Sequence, residues 1–170
     1  MSGKARAGAA DEDLRALLSM PGYLIRRSKQ VSTGIFMDAC KEMDITPVQF
    51  SALSILAARP GIDQTELGEI AGLDSSTIAD VIQRLERRAL LERTGQGNRR
   101  ICVLTAAGEQ ALARLRPLVA RAQSHILAAL TVREQKQLLR LLSKLNGVTN
   151  NYYTAPAARR HRKRLGGETS

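Results

Sequence analysis

Six arginines lie between positions 84 and 100 (Arg84, Arg87, Arg88, Arg93, Arg99 and Arg100), opposed within those 17 residues only by Glu86 and Glu92. A net +4 over so short a stretch suits a polyanion, because a guanidinium can pair with phosphate through two parallel N–H donors. Just ahead stand Ser75, Ser76 and Thr77. Small hydroxyl residues let a helix approach a surface closely and can meet base edges or phosphates. Catalytic chemistry is not indicated: His125 falls in an apolar helical pattern, His161 lies in a basic tail, and neither Cys40 nor Cys102 has a neighbouring base. No close Cys or His completes a metal-ligand spacing, so the two thiols are expected to be buried and reduced, with no cofactor and no enzyme activity.

The chain has 170 residues, enough for one domain with its own core, and 26 Lys and Arg against 16 Asp and Glu give a formal charge of +10. Residues 155 to 170 (APAARRHRKRLGGETS) hold five basic residues and one acidic residue, so +6 belongs to the rest of the chain. This segment reads as a disordered tail adding nonspecific attraction to phosphate. Residues 1 to 10 read as a disordered tail as well. With aromatic residues at 3% and no Trp, composition argues against a stacking platform for single strands, and duplex DNA is the better candidate. The opening MSGKARAGAA lacks an apolar core segment, and no apolar run approaches the roughly 18 residues of a membrane span. The expectation is a cytoplasmic protein with no membrane contact.

A series of local signals must place the arginines. Leu14, Leu17 and Leu18 form a short periodic piece, Pro21-Gly22 interrupts it, and Leu24, Ser28, Val31, Ile35 and Ala39 share one face of a longer helix ending near Asp44. Thr46-Pro47 caps a helix packing Phe50, Leu53, Ile55 and Leu56 before Arg59-Pro60-Gly61 stops it. Asp63 and Glu66 have capping-box spacing for a short helix from Thr65 to Ala71, Gly72 supplies a tight turn, and Asp74 caps the next helix. In that helix Ile78, Val81, Ile82 and Leu85 point inward, so Ser76, Asp80, Gln83, Arg84 and Arg87 face out, with Ser75 and Thr77 in the first turn.

Leu90 to Arg93 and Arg100 to Leu104 flank Thr94-Gly95-Gln96-Gly97-Asn98 and read as a two-stranded β wing. Its tip, Gln96-Gly97-Asn98-Arg99-Arg100, can place a guanidinium in a minor groove, Arg99 first, or contact phosphates alone. Thr105 opens a long helix with Leu112, Leu115, Val119, Ala122, Ile126 and Ala129 in a 3,4 seam broken only by Pro117. Thr131 to Glu134 starts a last helix with Leu138, Leu142, Leu145 and Val148 inside.

The order predicts a mainly α fold with a small β hairpin: a winged helix-turn-helix with long N- and C-terminal dimerisation helices. Residues 11–46 form the N-terminal dimerisation helices, 47–104 the DNA-binding lobe and 105–154 the C-terminal dimerisation helices. In such a fold the second helix enters the major groove N-terminal end first. The expected DNA-contacting set is Thr65, Ser75, Ser76, Thr77, Asp80, Gln83, Arg84, Arg87, Asn98, Arg99 and Arg100.

The segment STIADVIQRLERRALLER, followed by GNRRICVLTAAG, resembles the signature region of the MarR family of bacterial regulators, and the resemblance extends over about Asp11 to Tyr153. It implies a homodimer that binds double-stranded operator DNA and responds to a small molecule held between the dimer-forming helices and the DNA-binding lobe. Asn98 stands where many members have an acidic residue, and Asp80 where many have a basic one. Asp80 can accept from a cytosine amino group or restrain Arg84 across one helical turn. The stretch from Gly22 to Gln30 is similar to the first long helix of members that control aromatic and hydroxycinnamic acid catabolism. That similarity implies effector-binding residues Tyr23, Arg26, Arg27 and Gln30, with Phe36 further along the helix. The effector implied is an aromatic acid or an aryl-CoA thioester such as p-coumaroyl-CoA, releasing a repressor from its operon. Two other readings stand beside it: a thiol-based redox-sensing repressor using Cys40, and a nonspecific basic DNA-binding protein.

Overall fold

Five residues that accept a hydrogen bond from the amide three positions on set the starts of five helices in the computed structural model, which describes residues 3–95 and 101–147, with side chains from Asp11 onward. Thr46 caps α3 (Pro47–Ala58), Asp63 caps α4 (Gln64–Ala71), Asp74 caps α5 (Ser75–Arg87), Thr105 caps α6 (Ala106–Ile126) and Thr131 caps α7 (Val132–Leu145). Each cap satisfies an amide that the helix cannot bond internally. Thr46 with Gln49 and Thr131 with Glu134 form full capping boxes. Asp63 makes only half of one: the Glu66 amide donates to it, but the Glu66 carboxylate turns instead to Arg59 at 3.2 Å.

Two helices precede these, α1 (Gly3–Ser19) and α2 (Pro21–Ala39), separated at Met20, whose extended backbone precedes Pro21. Residues 3 to 10 are therefore helical rather than a disordered tail, as their alanine content favours. The second helix stops at Ala39, its last periodic position, rather than near Asp44. A 3-10 turn over Lys41–Met43 follows, and Asp44 closes it in the left-handed region at φ 47°.

The sheet has three strands, not two. β2 (Leu91–Thr94) and β3 (Ile101–Leu104) form the expected hairpin, and β1 (Ile62–Asp63) adds antiparallel to the other edge of β3, pairing Ile62 with Cys102 and Asp63 with Ile101. Two residues are too few to show a strand's alternation, and Asp63 already reads as a helix cap.

The core lies where α3, α4, α5 and the first half of α6 meet the sheet, with Leu53, Leu56, Leu67, Ile78, Ile82, Leu85, Leu91, Cys102 and Leu115 fully enclosed. Phe36 near the end of α2 reaches the core, its ring centroid 5.9 Å from that of Phe50, with Ala39 packed beside it and Cys40 buried just beyond the helix. α6 continues through Pro117 and ends at Ile126, so Ala129 lies beyond it. No residue of α7 is buried: Leu142 and Leu145 are 40% and 65% exposed rather than inside, and Val148 falls outside the described residues. Among the described residues no helix is long and apolar enough to cross a membrane.

One contact joins the α5 end, the sheet and α6. The backbone of Gly108, in the first turn of α6, approaches Leu90 so closely that a Cβ there would stand 1.9 Å from the Leu90 carbonyl oxygen. Backbone cannot yield as a flexible side chain can, so any larger residue displaces α6 from the end of α5. Gly108→Ala is expected to lower the unfolding free energy by about 2 kcal/mol or more. A urea midpoint equal to that of the wild type would contradict this close approach.

Candidate nucleic-acid interface

Gly72, at φ 67°, turns the chain between α4 and α5. Most L-residues meet a steric penalty there that glycine avoids. Leu73 then leads to Asp74, whose carboxylate gathers three donors at the α5 N-terminus. The Ser76 hydroxyl donates to it at 2.6 Å, and the Thr77 amide and hydroxyl each donate at 2.8 Å. Chiefly the Ser76 hydroxyl, and then Thr77, hold this carboxyl well below the usual carboxylate range. Ser76 and Thr77 are thus oriented by the cap itself, with their oxygens still able to accept, while Ser75 is exposed beside them.

Along α5 the division of faces matches the sequence pattern. Ile78, Val81, Ile82 and Leu85 are buried, and Ser76, Asp80, Gln83, Arg84 and Arg87 are exposed. Asp80 and Arg84 pair at 2.9 Å across one turn, in keeping with the restraining role of Asp80. Both are more than half exposed, so the pair orders the guanidinium more than it stabilises the helix. Thr65 is exposed at the second position of α4. Asn98, Arg99 and Arg100 lie outside the described residues.

Two of the six arginines serve the fold. Arg93 on β2 makes a two-pronged pair with Glu86 of α5, at 2.8 and 2.5 Å, which fastens the wing to the helix. Arg88 at the end of α5 turns away from the arginine face and donates to the backbone carbonyls of Met43 and Asp44. Sequence spacing carries no trace of either partner. The only available signal was charge parity, since Glu86 stands among the arginines.

The expected effector residues separate into two places. Tyr23, Arg26, Arg27 and Gln30 lie in the first turns of α2, with the Arg26 guanidinium 5.1 Å from the Tyr23 ring centre and Arg27 donating to Gln30 at 2.9 Å. Both arginines are exposed. Phe36 is not with them; it belongs to the core, because one helical turn and a half carries it to the face packed on α3. A cleft of about 290 Å³ opens further along, between α2 and α6, lined by Ile35, Asp38, Ala39, Leu118, Arg121, Ala122 and His125. None of these was singled out as an effector contact from the sequence, where Ile35, Ala39, Ala122 and His125 fall in apolar helical patterns. Both cysteines are buried, and burial pushes both thiols up, away from the thiolate a redox sensor needs.

A helix-turn-helix with a β wing, joined to long helices at both ends, defines a winged helix-turn-helix regulator of transcription rather than an enzyme. The MarR family model matches residues 45–102. A relative from Thauera aromatica, a putative transcriptional regulatory protein for the hcr operon, is 32% identical over 151 residues, 84% of this chain and 91% of its own. The chain belongs to the MarR family. Among solved structures, the PcaV transcriptional regulator of Streptomyces coelicolor in complex with its natural ligand is 35% identical, with a TM-score of 0.70 over 77% of this chain and 94% of that one. The repressor CouR bound to p-coumaroyl-CoA is 31% identical, with a TM-score of 0.71 over 76% and 93%, and CouR has also been solved on a 23-mer DNA duplex.

The lowered carboxyl of Asp74 has a pH signature. A folded-state value below the unfolded one adds stability that is complete above the ordinary carboxylate range and is lost as pH falls from about 4 toward the lowered value. Asp74→Asn keeps an acceptor for Thr77 but loses the charge, so its deficit in Tm is expected at pH 7 and should shrink on acidification below about pH 4. A deficit that is constant down to pH 3 would show that the carboxylate charge is not what holds the cap.

Proposed function

We propose that this protein is a homodimeric repressor that reads duplex operator DNA with α5 and is released by an aromatic acid or its CoA thioester. The observation that carries the DNA reading is the two-faced, Asp74-capped α5, buried on Ile78, Val81, Ile82 and Leu85 and presenting Ser75, Ser76, Thr77, Gln83, Arg84 and Arg87 outward. A helix held that firmly on one side can enter a major groove N-terminal end first, with the hydroxyls near base edges and the arginines near phosphate. Thr65 would contact the backbone beside it, Asp80 would set the angle of Arg84, and Asn98, Arg99 and Arg100 at the wing would reach the adjacent minor groove.

Dimerisation is supported by the apolar residues left uncovered on the long helices: Leu14, Leu17 and Leu18 of α1, Leu24, Ile25 and Val31 of α2, and Leu139, Leu142 and Leu145 of α7. Large apolar side chains left exposed along several helices mark an interface. A two-fold dimer would carry two α5 helices to successive major grooves, one helical turn of DNA apart. In this reading residues 47–104 are the DNA-reading lobe, 11–46 and 105–154 form the dimer, and the basic residues after 155 add nonspecific attraction.

For the effector, Tyr23, Arg26, Arg27 and Gln30 supply a ring and two guanidinium groups, one already oriented by Gln30. This set suits a carboxylate or phosphate attached to an aromatic group. The similarity to CouR with p-coumaroyl-CoA supports an effector of this class and a place in the hydroxycinnamate branch.

In a mobility-shift assay on a duplex selected from the protein's own upstream DNA, with random duplex at matched salt as competitor, Arg87→Ala is expected to reduce the salt slope by about one phosphate. Gln83→Ala should cost about 1–3 kcal/mol and relax preference at one base pair. Equal affinity for selected and random duplex would sink the sequence-specific reading in favour of a nonspecific basic protein. Adding p-coumarate and p-coumaroyl-CoA separately to the wild-type complex identifies the active form, and Arg27→Ala should raise the concentration needed for release about tenfold. If neither compound releases the wild type, the hydroxycinnamate effector is wrong.

A further inference from the structure

We propose that Arg88 is a positioning residue that latches the C-terminal end of α5 to the turn that ends α2, so that the orientation of the arginine-bearing part of α5 follows the position of α2. This rests on the reading of α5 as the DNA-reading helix. Arg88 would ordinarily be counted with Arg84 and Arg87 as a cation for phosphate. Its guanidinium is committed elsewhere. One nitrogen donates to the Asp44 carbonyl and the other to the Met43 carbonyl at 2.8 Å, across 44 and 45 residues of sequence.

The chemistry of the turn explains why an arginine sits there. The 3-10 turn over Lys41–Met43 ends at Asp44, whose left-handed backbone, φ 47° and ψ 48°, redirects the chain toward the Thr46 cap. That reversal removes the carbonyls of Met43 and Asp44 from any continuing helix. Two successive carbonyls match the planar fork of a guanidinium, which an ammonium group cannot span. The Asp44 carboxylate adds little, because it is 3.8 Å away on a side chain that is 93% exposed.

The far side of the same junction is held as firmly. Ala89 follows Arg88 at φ 54°, its carbonyl accepts the Thr105 hydroxyl at 2.6 Å, and the Leu90 carbonyl accepts the Thr105 amide at 3.3 Å. The end of α5 is therefore fastened on one side to the root of α2 and on the other to the root of α6. Arg84 and Arg87 lie within one turn of that double attachment. A shift of α2 relative to α6 moves the Met43 and Asp44 carbonyls and, through the Arg88 fork, carries the arginine-bearing end of α5 with them.

The test uses the full chain with Arg88→Gln and Arg88→Lys, read by amide hydrogen exchange and by operator affinity over a range of salt. The reporting amides are Met43, Asp44 and Thr46 on one side of the latch and Ala89 and Leu90 on the other, all hydrogen-bonded in the structure. Arg88→Gln is expected to speed exchange about tenfold in both segments while leaving the α6 amides around Leu115 unchanged, which separates a released latch from global unfolding. Operator affinity should fall about 3- to 10-fold with the salt slope unaltered, and Arg88→Lys, able to reach one carbonyl, should lie between Gln and wild type. Unchanged exchange at residues 43–46 overturns the latch, as does a salt slope reduced by about one phosphate, which would make Arg88 a DNA contact. Should the wild type fail to prefer operator over random duplex, the DNA reading falls, and the exchange data still decide whether Arg88 ties the two segments together.

Discussion

The three residues Arg88, Ala89 and Leu90 join the turn after α2, the end of α5, the start of the hairpin and the first turn of α6. Backbone of the α6 first turn lies directly on the Leu90 carbonyl, which is possible only because residue 108 has no side chain. Thr105 then caps α6 and, with the same hydroxyl, bonds the Ala89 carbonyl. Direct backbone packing leaves no soft layer between the end of α5 and the first turn of α6. Both the hairpin that follows Leu90 and the long helix that leaves the lobe take their direction from this junction.

Around it, the charged residues divide by task. Glu86 with Arg93 and Arg88 with the Met43 and Asp44 carbonyls are partly shielded, multiply bonded contacts that hold the wing and the α2 turn against α5. Arg84 and Arg87 stay at the surface, where a cation is solvated and available to a phosphate. The Arg93 side chain is 29% exposed and that of Arg88 36%, against 56% for Arg84. Among the described residues, a basic run that looks uniform in sequence therefore divides into arginines bonded within the fold and arginines left at the surface.

Uncovered apolar residues lie on α1, on the first half of α2 and on α7. A single chain gives these helices little to pack on, since α7 buries no residue and α2 reaches the core only at its end. Stability of such helices comes from covering an amphipathic face, not from propensity. The chain thus has a well-enclosed lobe and a pair of helical arms whose order depends on what covers them.

Helix starts and the outward face of α5 were legible in the sequence because both are local. A cap and its amide are three residues apart, and the buried stripe of Ile78, Val81, Ile82 and Leu85 repeats with the helical turn. For the same reason Thr46, Asp63, Asp74, Thr105 and Thr131 could be picked out as caps without a structure. Tertiary structure alone decided that β1 joins the sheet, that Phe36 packs on Phe50 instead of facing Tyr23, and that Arg88 and Arg93 turn inward while Arg84 and Arg87 do not. Each of those outcomes depends on a partner far away in the chain or on a segment too short for periodicity. Residue type and spacing state what a side chain is able to bond; only the packed chain brings a Met43 carbonyl within reach of Arg88.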